Sequence, residues 1–250
     1  MNAALGTEAT KLTRSLVGVI STAAIIGGIL ALIGGITAAV AAGNPELTAK
    51  LGRSATLDWA GLLASSAQIT AAGAFGGFGI VLAWMFAREF TDGTITGLFA
   101  LPVGRGTIAS AKIMIYLGWA VLVNLLTVTG LIMIGLLLGY GAPTEADWQG
   151  LGRQLVLGTL TATLALPVAW IATEARSLLA GVAVTVGLVV VGQVGVLAGA
   201  GGWLPIAAPA LWALGRGTGV SAAQFGVVAL FVIVFAVLTV RSWVRLQLDR

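Results

Sequence analysis

The sequence predicts an all-α integral membrane protein with six transmembrane helices. Of its 250 residues, 58% are hydrophobic and 9% charged, where a soluble domain of this length would carry roughly 25% charged residues. The mean hydropathy is +1.05. Runs free of Asp, Glu, Lys and Arg cover residues 15–45, 59–87, 113–144, 154–173, 177–215 and 217–240. Each is long enough for the roughly 20 residues that cross a hydrocarbon core of about 30 Å. The runs are continuously apolar and do not alternate with period two, so a helical bundle is preferred to a barrel. One membrane domain over residues 1–250 is expected, with spans near 15–42, 59–87, 112–139, 154–173, 177–200 and 224–244.

Lys11 and Arg14 precede the first run, and Ala39-Val40-Ala41 within it has the form of a signal-cleavage site. A secretory apolar region is about 7 to 15 residues, much shorter than this run, so a retained first helix is expected. Basic residues set the orientation. With both ends on one face, only Lys50, Arg53, Arg153 and Arg216 fall on the opposite face, and the rest of the 13 Lys and Arg, Arg250 included, lie with the termini. The richer face is expected to be cytoplasmic. Both termini and residues 88–112 then face the cytoplasm, and residues 44–58, 141–153 and 201–224 face outward. Topology alone accounts for the pI of 10.1, and no nucleic-acid partner is expected.

With no Cys and no His, disulfides, thiol chemistry and the usual zinc or haem ligands are excluded, and no catalytic or metal-binding set is expected. An ion-coupled transporter needs a titratable or coordinating group inside its spans, because an intramembrane charge is costly and persists where it carries coupling. None lies in the six span cores, whose polar side chains are Gln68, Asn124, Gln193 and scattered Ser and Thr. Two readings of these amides stand: interhelical hydrogen bonds worth about 0.6 kcal/mol each, or a substrate path. No G-x-x-x-x-G-K-[ST] stretch occurs, nor any soluble α/β segment to hold one. A pump built on this chain would need its motor on another polypeptide.

The one long polar-studded segment on the predicted cytoplasmic side runs from Arg88-Glu89-Phe90-Thr91-Asp92-Gly93-Thr94 through Leu98-Phe99-Ala100-Leu101-Pro102-Val103-Gly104-Arg105 to Lys112. Asp92 is placed to cap a helix and Pro102 to stop one. Ile95, Leu98 and Phe99 fall at i, i+3 and i+4, which predicts a short amphipathic helix over residues 93–101. Such a helix suits the membrane interface or a groove on a partner. Gly104 and Gly106 then allow a sharp turn, with Thr107 as N-cap of the third span and Lys112 at the headgroup level.

The pattern Glu89-x-x-x-Gly93-Thr94, an apolar turn, Leu101-Pro102-Val103-x-Arg105 and then Lys112 resembles the first cytoplasmic loop of ABC-2 type transporter permeases, the six-span membrane subunits of ABC exporters. Six spans, termini inside and a proline-broken outer segment before the last span extend the resemblance to most of the chain. It implies that residues 91–101 form a coupling helix that docks on a separate nucleotide-binding ATPase subunit. The coupling residues would be Glu89, Thr91, Asp92, Gly93, Thr94, Ile95, Leu98, Phe99, Pro102 and Arg105, with Glu89 and Arg105 holding the loop or touching the ATPase. For those two, a pair of solvated charges at helix ends is the other reading. The resemblance further implies ATP and Mg in the partner subunit and no cofactor in this chain. It also implies a second permease copy or a related permease, surrounding membrane lipid, and the cytoplasmic membrane of a prokaryote.

That family carries an N-terminal amphipathic helix on the inner membrane surface. Residues 1–14 are short for one, with Leu5, Ala9 and Leu12 to one side and Glu8, Lys11 and Arg14 elsewhere, so such a helix and a frayed basic terminus both stand. Between the fifth and sixth spans, residues 201–212 are too apolar for an ordinary loop, while Pro205 and Pro209 disfavour one regular span. An outer re-entrant helix anchored by Trp203 and Trp212 reconciles these facts, as in the family; a loop resting on the membrane is the alternative. Glu174-Ala175-Arg176 is either another ATPase contact or a plain turn. Among the 36 glycines, Gly73-x-x-x-Gly77 and Gly195-x-x-x-Gly199 permit close helix approach. Packing within one subunit explains them, and the resemblance favours the first and fifth spans as dimer edges. No internal repeat of the kind seen in inverted-repeat secondary transporters is evident.

The expected function is the permease subunit of an ATP-driven exporter and not an enzyme. ATP binding would draw two ATPase subunits together and tilt the second and third spans through the coupling helix. Small outer loops suit export. A path of Ser, Thr, Gln and apolar groups suits a drug, an antimicrobial peptide or a lipid-like molecule. The alternative is a non-transporting membrane scaffold, or a permease homologue serving assembly of another membrane complex.

Overall fold

A computed structural model describes residues 1–52, 55–100 and 102–247. Arg53, Leu101 and Arg250 of the sequence reading lie outside the described residues, as does the side chain of Phe99. Helices and turns account for the described residues, and no strand occurs among them. A short α1 (Asn2–Thr13) precedes α2 (Leu16–Ala41), the first helix long and apolar enough to cross a membrane. After α3 (Pro45–Leu51), α4 (Trp59–Ile69) passes through a π-helical turn (Thr70–Ala74) into α5 (Phe75–Thr91), and the three together make the second such helix. α6 (Ile95–Phe99) leads to α7 (Arg105–Leu137), the third. α8 (Glu145–Thr163) continued by α9 (Leu166–Glu174) is the fourth, and α10 (Leu178–Leu197) the fifth. A 3-10 turn (Gly201–Trp203) and α11 (Ala208–Leu214) precede α12 (Ala222–Arg245), the sixth.

Short polar residues open these helices by accepting from backbone N–H groups that have no partner within the helix. Ser15 Oγ accepts from the Gly18 N–H at 2.9 Å, and Asp58 Oδ1 from the Gly61 N–H at 2.8 Å. Thr144 with Asp147 and Ser221 with Gln224 form reciprocal capping boxes at the starts of α8 and α12. The Thr144 box starts α8 inside residues 141–153, which the sequence assigned to an outer loop, so that loop is shorter than expected. Hydropathy missed the first turns of α8 because they carry Glu145, Asp147 and Gln149.

Asp58 carries a pH consequence. The Thr56 hydroxyl, and then the Gly61 N–H, favour its charged form and hold its pKa below the ordinary value. A depressed folded pKa gives stability that is present above the unfolded pKa and is lost as pH falls through the folded one. Asp58→Ala is expected to lower the melting temperature at neutral pH, by roughly the 1 kcal/mol of a lost cap. The gap from wild type should narrow in acid, and a gap that stays constant on acidification would contradict a charged cap.

Two mid-span irregularities interrupt the regular helices. The π-helical turn at Thr70–Ala74 inserts an extra residue into the second span, a feature often found at functional sites. The buried Gln154 amide donates to the Thr70 hydroxyl at 2.6 Å, binding this turn to the fourth span. The fourth span itself breaks between α8 and α9. Pro167 lacks the N–H that would continue the ladder, and the Tyr116 hydroxyl of α7 donates to the Ala162 carbonyl at 2.9 Å beside the break.

The second and fourth spans form the middle of the bundle, 56% and 61% buried, while the fifth and sixth are 11% buried. Leu179, Val190, Leu230 and Ile233 project outward from these edge helices, a surface suited to lipid. Glycines set how closely the helices approach. A Cβ on Gly79 of α5 would lie 2.4 Å from Thr185 of α10, and one on Gly181 of α10 would lie 2.6 Å from Ala83 of α5. The two helices therefore interlock through small residues four apart on each. Of the pairs read from the sequence, Gly77 packs on Ile25 and Gly195 on Leu204, while Gly73 and Gly199 meet no neighbour. Gly199 instead takes a left-handed φ of +82° just after α10.

The proline-broken segment 201–212 turns back on the bundle in two pieces. Ala207, Ala208 and Pro209 are buried, and α11 packs on α8 and α4. Trp212 is half-buried against Phe225 with ring centroids 5.9 Å apart, and Trp203 projects outward.

Candidate coupling site

At the end of the bundle that carries both termini, four charges from distant parts of the chain close into a ring. Lys112 Nζ donates to Glu8 Oε2 at 2.8 Å, to Glu89 Oε1 at 2.8 Å and to the Met85 carbonyl at 3.1 Å, which uses all three ammonium protons. Lys11 Nζ donates to Glu8 Oε1 at 3.0 Å and Glu89 Oε1 at 2.7 Å, and the Thr94 hydroxyl donates to Glu89 Oε2 at 2.6 Å. Glu8, Glu89 and Lys112 are buried; Lys11 is 25% exposed. Two positive and two negative charges leave no net charge to desolvate. Lys112 is thus enclosed by protein, and the solvated-charge reading of Glu89 fails.

Local sequence explains why α1 joins this ring. Ala4, Glu8 and Leu12 recur every four residues on one face, and all three are buried. The charge at Glu8 therefore points inward with the apolar residues and finds Lys112 of α7. The N-terminus is a docked helix, not a frayed end. Burial lowers the Lys11 pKa, but the hydrogen bond to Glu89 and the charges of Glu8 and Glu89 outweigh it and raise it above the ordinary lysine value. A raised lysine pKa keeps this contribution in place below the unfolded value and loses it only as pH rises through the folded one.

The loop hangs from the ring. Thr91 ends α5, its hydroxyl donating to the Arg88 carbonyl at 3.2 Å. Asp92 does not cap the next helix: it terminates α5 and pairs with Arg88 at 3.7 Å. Gly93 follows with φ +68°, the left-handed turn that commonly closes a helix. Thr94 is then turned back to Glu89, so α6 starts without a side-chain cap and spans Ile95–Phe99, shorter than the predicted 93–101. Ile95 is buried and Leu98 half-buried against the core, whereas Gly93, Thr96, Gly97, Ala100 and Pro102 are exposed.

The exit of the loop is tied to the other end of the chain. Arg105, the first residue of α7, donates to the Leu246 carbonyl. Gly104 and not Thr107 is the N-cap of α7. Gly106 lies inside the helix, where a Cβ would stand 3.0 Å from Val244, so it serves a close crossing with α12 and not the turn. Arg176 donates to the Gln247 carbonyl at 2.6 Å, and the Ser242 hydroxyl to Glu174, which joins the α9–α10 turn to the same tail. Trp243 is fully buried at the centre: its indole N–H donates to Thr173 Oγ1 at 3.1 Å, Phe86 meets it edge-on at 6.0 Å, and Lys112 lies 5.7 Å from its ring.

Sequence reasoning missed Glu8, Lys11, Lys112 and Trp243 as members of one site. The recurrence of Ala4, Glu8 and Leu12 was the available signal. Nothing local announces which helix answers Glu8, since its Lys112 partner is 104 residues away.

The three amides, for which interhelical hydrogen bonds and a substrate path both stood as readings, do not converge. Gln68 and Gln193 line one cavity of 250 Å³ with Thr161, Phe75 and Ile206, beside the π-helical turn. Asn124 is elsewhere: its amide donates to the Ala120 carbonyl at 2.8 Å, and it fills the space left by Gly158 of α8. It is a packing residue.

Six apolar helices, an interior held by small residues and a polar loop anchored at one end define a multi-pass membrane protein of the permease class. Residues 4–192 match the family model of the ABC-2 family transporter proteins, and the chain belongs to that family. No curated protein matches it. Membership implies an ABC ATPase as partner in general terms.

Proposed function

We propose that this chain is the permease subunit of an ATP-driven exporter in a prokaryotic cytoplasmic membrane. Its termini and α6 would face the cytoplasm, and it would work beside a second copy or a related permease. The ATPase is a separate subunit that binds ATP and Mg, docks on the exposed side of the 93–102 loop and moves the second and third spans through it. The observation that carries this reading is the loop's construction. Its exposed residues include Gly93, Thr94, Thr96, Gly97, Ala100 and Pro102, mostly small residues that let a partner approach the backbone. Its inward face is bonded through Thr94 and Glu89 to the ends of α5, α7 and α1. A push on the loop is therefore delivered to three helices through rigid, charge-assisted bonds. The cargo is a hydrophobic or amphipathic molecule that uses the cavity between Gln68 and Gln193.

Gly97 separates docking from folding, because a Cβ there meets no atom within 4 Å. Gly97→Arg is expected to leave the melting temperature unchanged and to abolish co-purification with the partner ABC ATPase. It should also abolish substrate stimulation of that ATPase. Retention of the complex by a stable Gly97→Arg protein would place docking elsewhere. Glu89→Lys should lose the complex together with stability, since it sets three ammonium groups around Glu8.

A further inference from the structure

A second cavity opens at the end of the bundle opposite the ion ring, between α4, α8 and α11, with a volume of 620 Å³. Arg153 of α8 and Arg216, just past α11, line it, and neither guanidinium has a hydrogen-bond or ion-pair partner among the described residues. Arg216 has φ +55°, a left-handed position where glycine is the usual residue, so a guanidinium is carried there at a conformational cost. The lining carboxylate, Asp147, is engaged by Thr144 in the α8 capping box. Deeper in, Gln154 is 4% exposed, and its Oε1 is the buried side-chain polar atom left without a partner among the described residues. Reversing the amide would let Oε1 accept from the Thr70 hydroxyl and would leave an N–H open, which is the group an oxyanion requires.

This vestibule shares Gln68 and Leu214 as a wall with the 250 Å³ cavity lined by Phe75, Val189 and Leu211. The smaller space falls below the roughly 300–1,000 Å³ of a ligand site, and the two together fall within it. We propose that they form one binding site for an acidic amphiphile. A phosphate or carboxylate head would pair with Arg153 and Arg216 and accept from the Gln154 amide in its reversed orientation, and a short alkyl chain would pass Gln68 into the apolar cavity. Planar guanidinium groups without partners favour oxyanions over cations, and the adjoining apolar space favours a tailed anion over a free one. The inference rests on the exporter reading only in taking this as the outward face and the ligand as cargo.

The test is calorimetric titration of octyl phosphate into the full chain in phosphatidylcholine nanodiscs, with empty discs as the blank. Saturable binding at one site per chain is expected, about tenfold or more weaker for the Arg153→Ala, Arg216→Ala double variant. The Arg153→Lys, Arg216→Lys variant should retain part of it. Inorganic phosphate should bind far more weakly, and octyltrimethylammonium should show no saturable binding. Equal binding by wild type and a folded double alanine variant, equal binding of the cationic amphiphile, or equal binding of inorganic phosphate would each overturn the proposal. In phosphatidylglycerol discs, displacement of octyl phosphate would identify membrane lipid as the source of the head group, and undiminished binding would identify a free amphiphile; both support the site. Because the ATPase is absent from this titration, failure of docking leaves it untouched. Binding that never alters ATPase activity in an assembled complex would count against the exporter reading and not against the site.

Discussion

Lys112→Met is expected to destabilise the protein by about 3–5 kcal/mol, because it leaves two buried carboxylates facing a single ammonium. Lys112 makes three hydrogen bonds with no exposure of its own, and Glu89 is 1% exposed, so water cannot replace the lost partner. The loss should appear as a lower melting temperature in detergent or nanodiscs and as faster tryptic cleavage at Lys11 and Arg14, since α1 loses its main polar attachment. Charge balance makes a sharper demand. Adding Glu89→Gln to Lys112→Met leaves Glu8 with Lys11, a neutral pair, so the double variant should be more stable than Lys112→Met alone. A double variant that melts at the sum of the two single losses would show that the charges do not act as one ring. This experiment also bears on the proposed transmission of force, because the same bonds hold Thr94 and hence the start of α6.

Gly181→Leu is the second large effect expected. A Cβ at Gly181 would stand 2.6 Å from the Ala83 Cβ, 3.2 Å from the Ala172 Cβ and 3.3 Å from the Ala83 Cα, none of which can rotate away. The substitution must therefore move α10 off both α5 and α9. Overpacking of this kind costs about 1–3 kcal/mol where the surroundings can adjust, and more where backbone is the obstacle. Gly181→Ala should be milder and should be partly rescued by Ala83→Gly, which removes the atom it strikes. Gly181→Ala melting like wild type, or a failure of Ala83→Gly to help it, would refute the close crossing. A matched control is Gly187→Ala on the same helix, where a Cβ meets nothing and the melt should not fall.

Most of the architecture was legible because a membrane makes hydropathy local. A run such as residues 113–144 declares itself without reference to any other part of the chain, and in the structure Ser15, Asp58, Ser177 and Ser221 cap helix starts by chemistry that acts over three residues. The 88–112 loop was legible as a segment but not as a shape. Asp92 satisfies the rules for an N-cap and for a residue closing the previous helix equally well. The outcome was decided by Gly93 turning left-handed and by Thr94 finding Glu89. The amides divided for a similar reason: Asn124 and Gln68 look alike in sequence, and only the position of Gly158 opposite one of them makes it a packing residue.

By itself the sequence determined the class of this protein, the number of its apolar helices and the position of its one long polar-studded loop. Each depends on properties summed over neighbouring residues: transfer free energy along a span, spacing on one helix face, a turn residue at a fixed offset. The tertiary structure alone decided that Glu8 meets Lys112, that Gly79 and Gly181 let α5 and α10 interlock, and that Arg153, Arg216 and Gln154 open into one space. Periodicity says which side of a helix is turned inward, but not which helix waits there. In a bundle whose surfaces are uniformly apolar, that choice rests on shape and on a few buried polar groups, and both exist only once the helices are assembled.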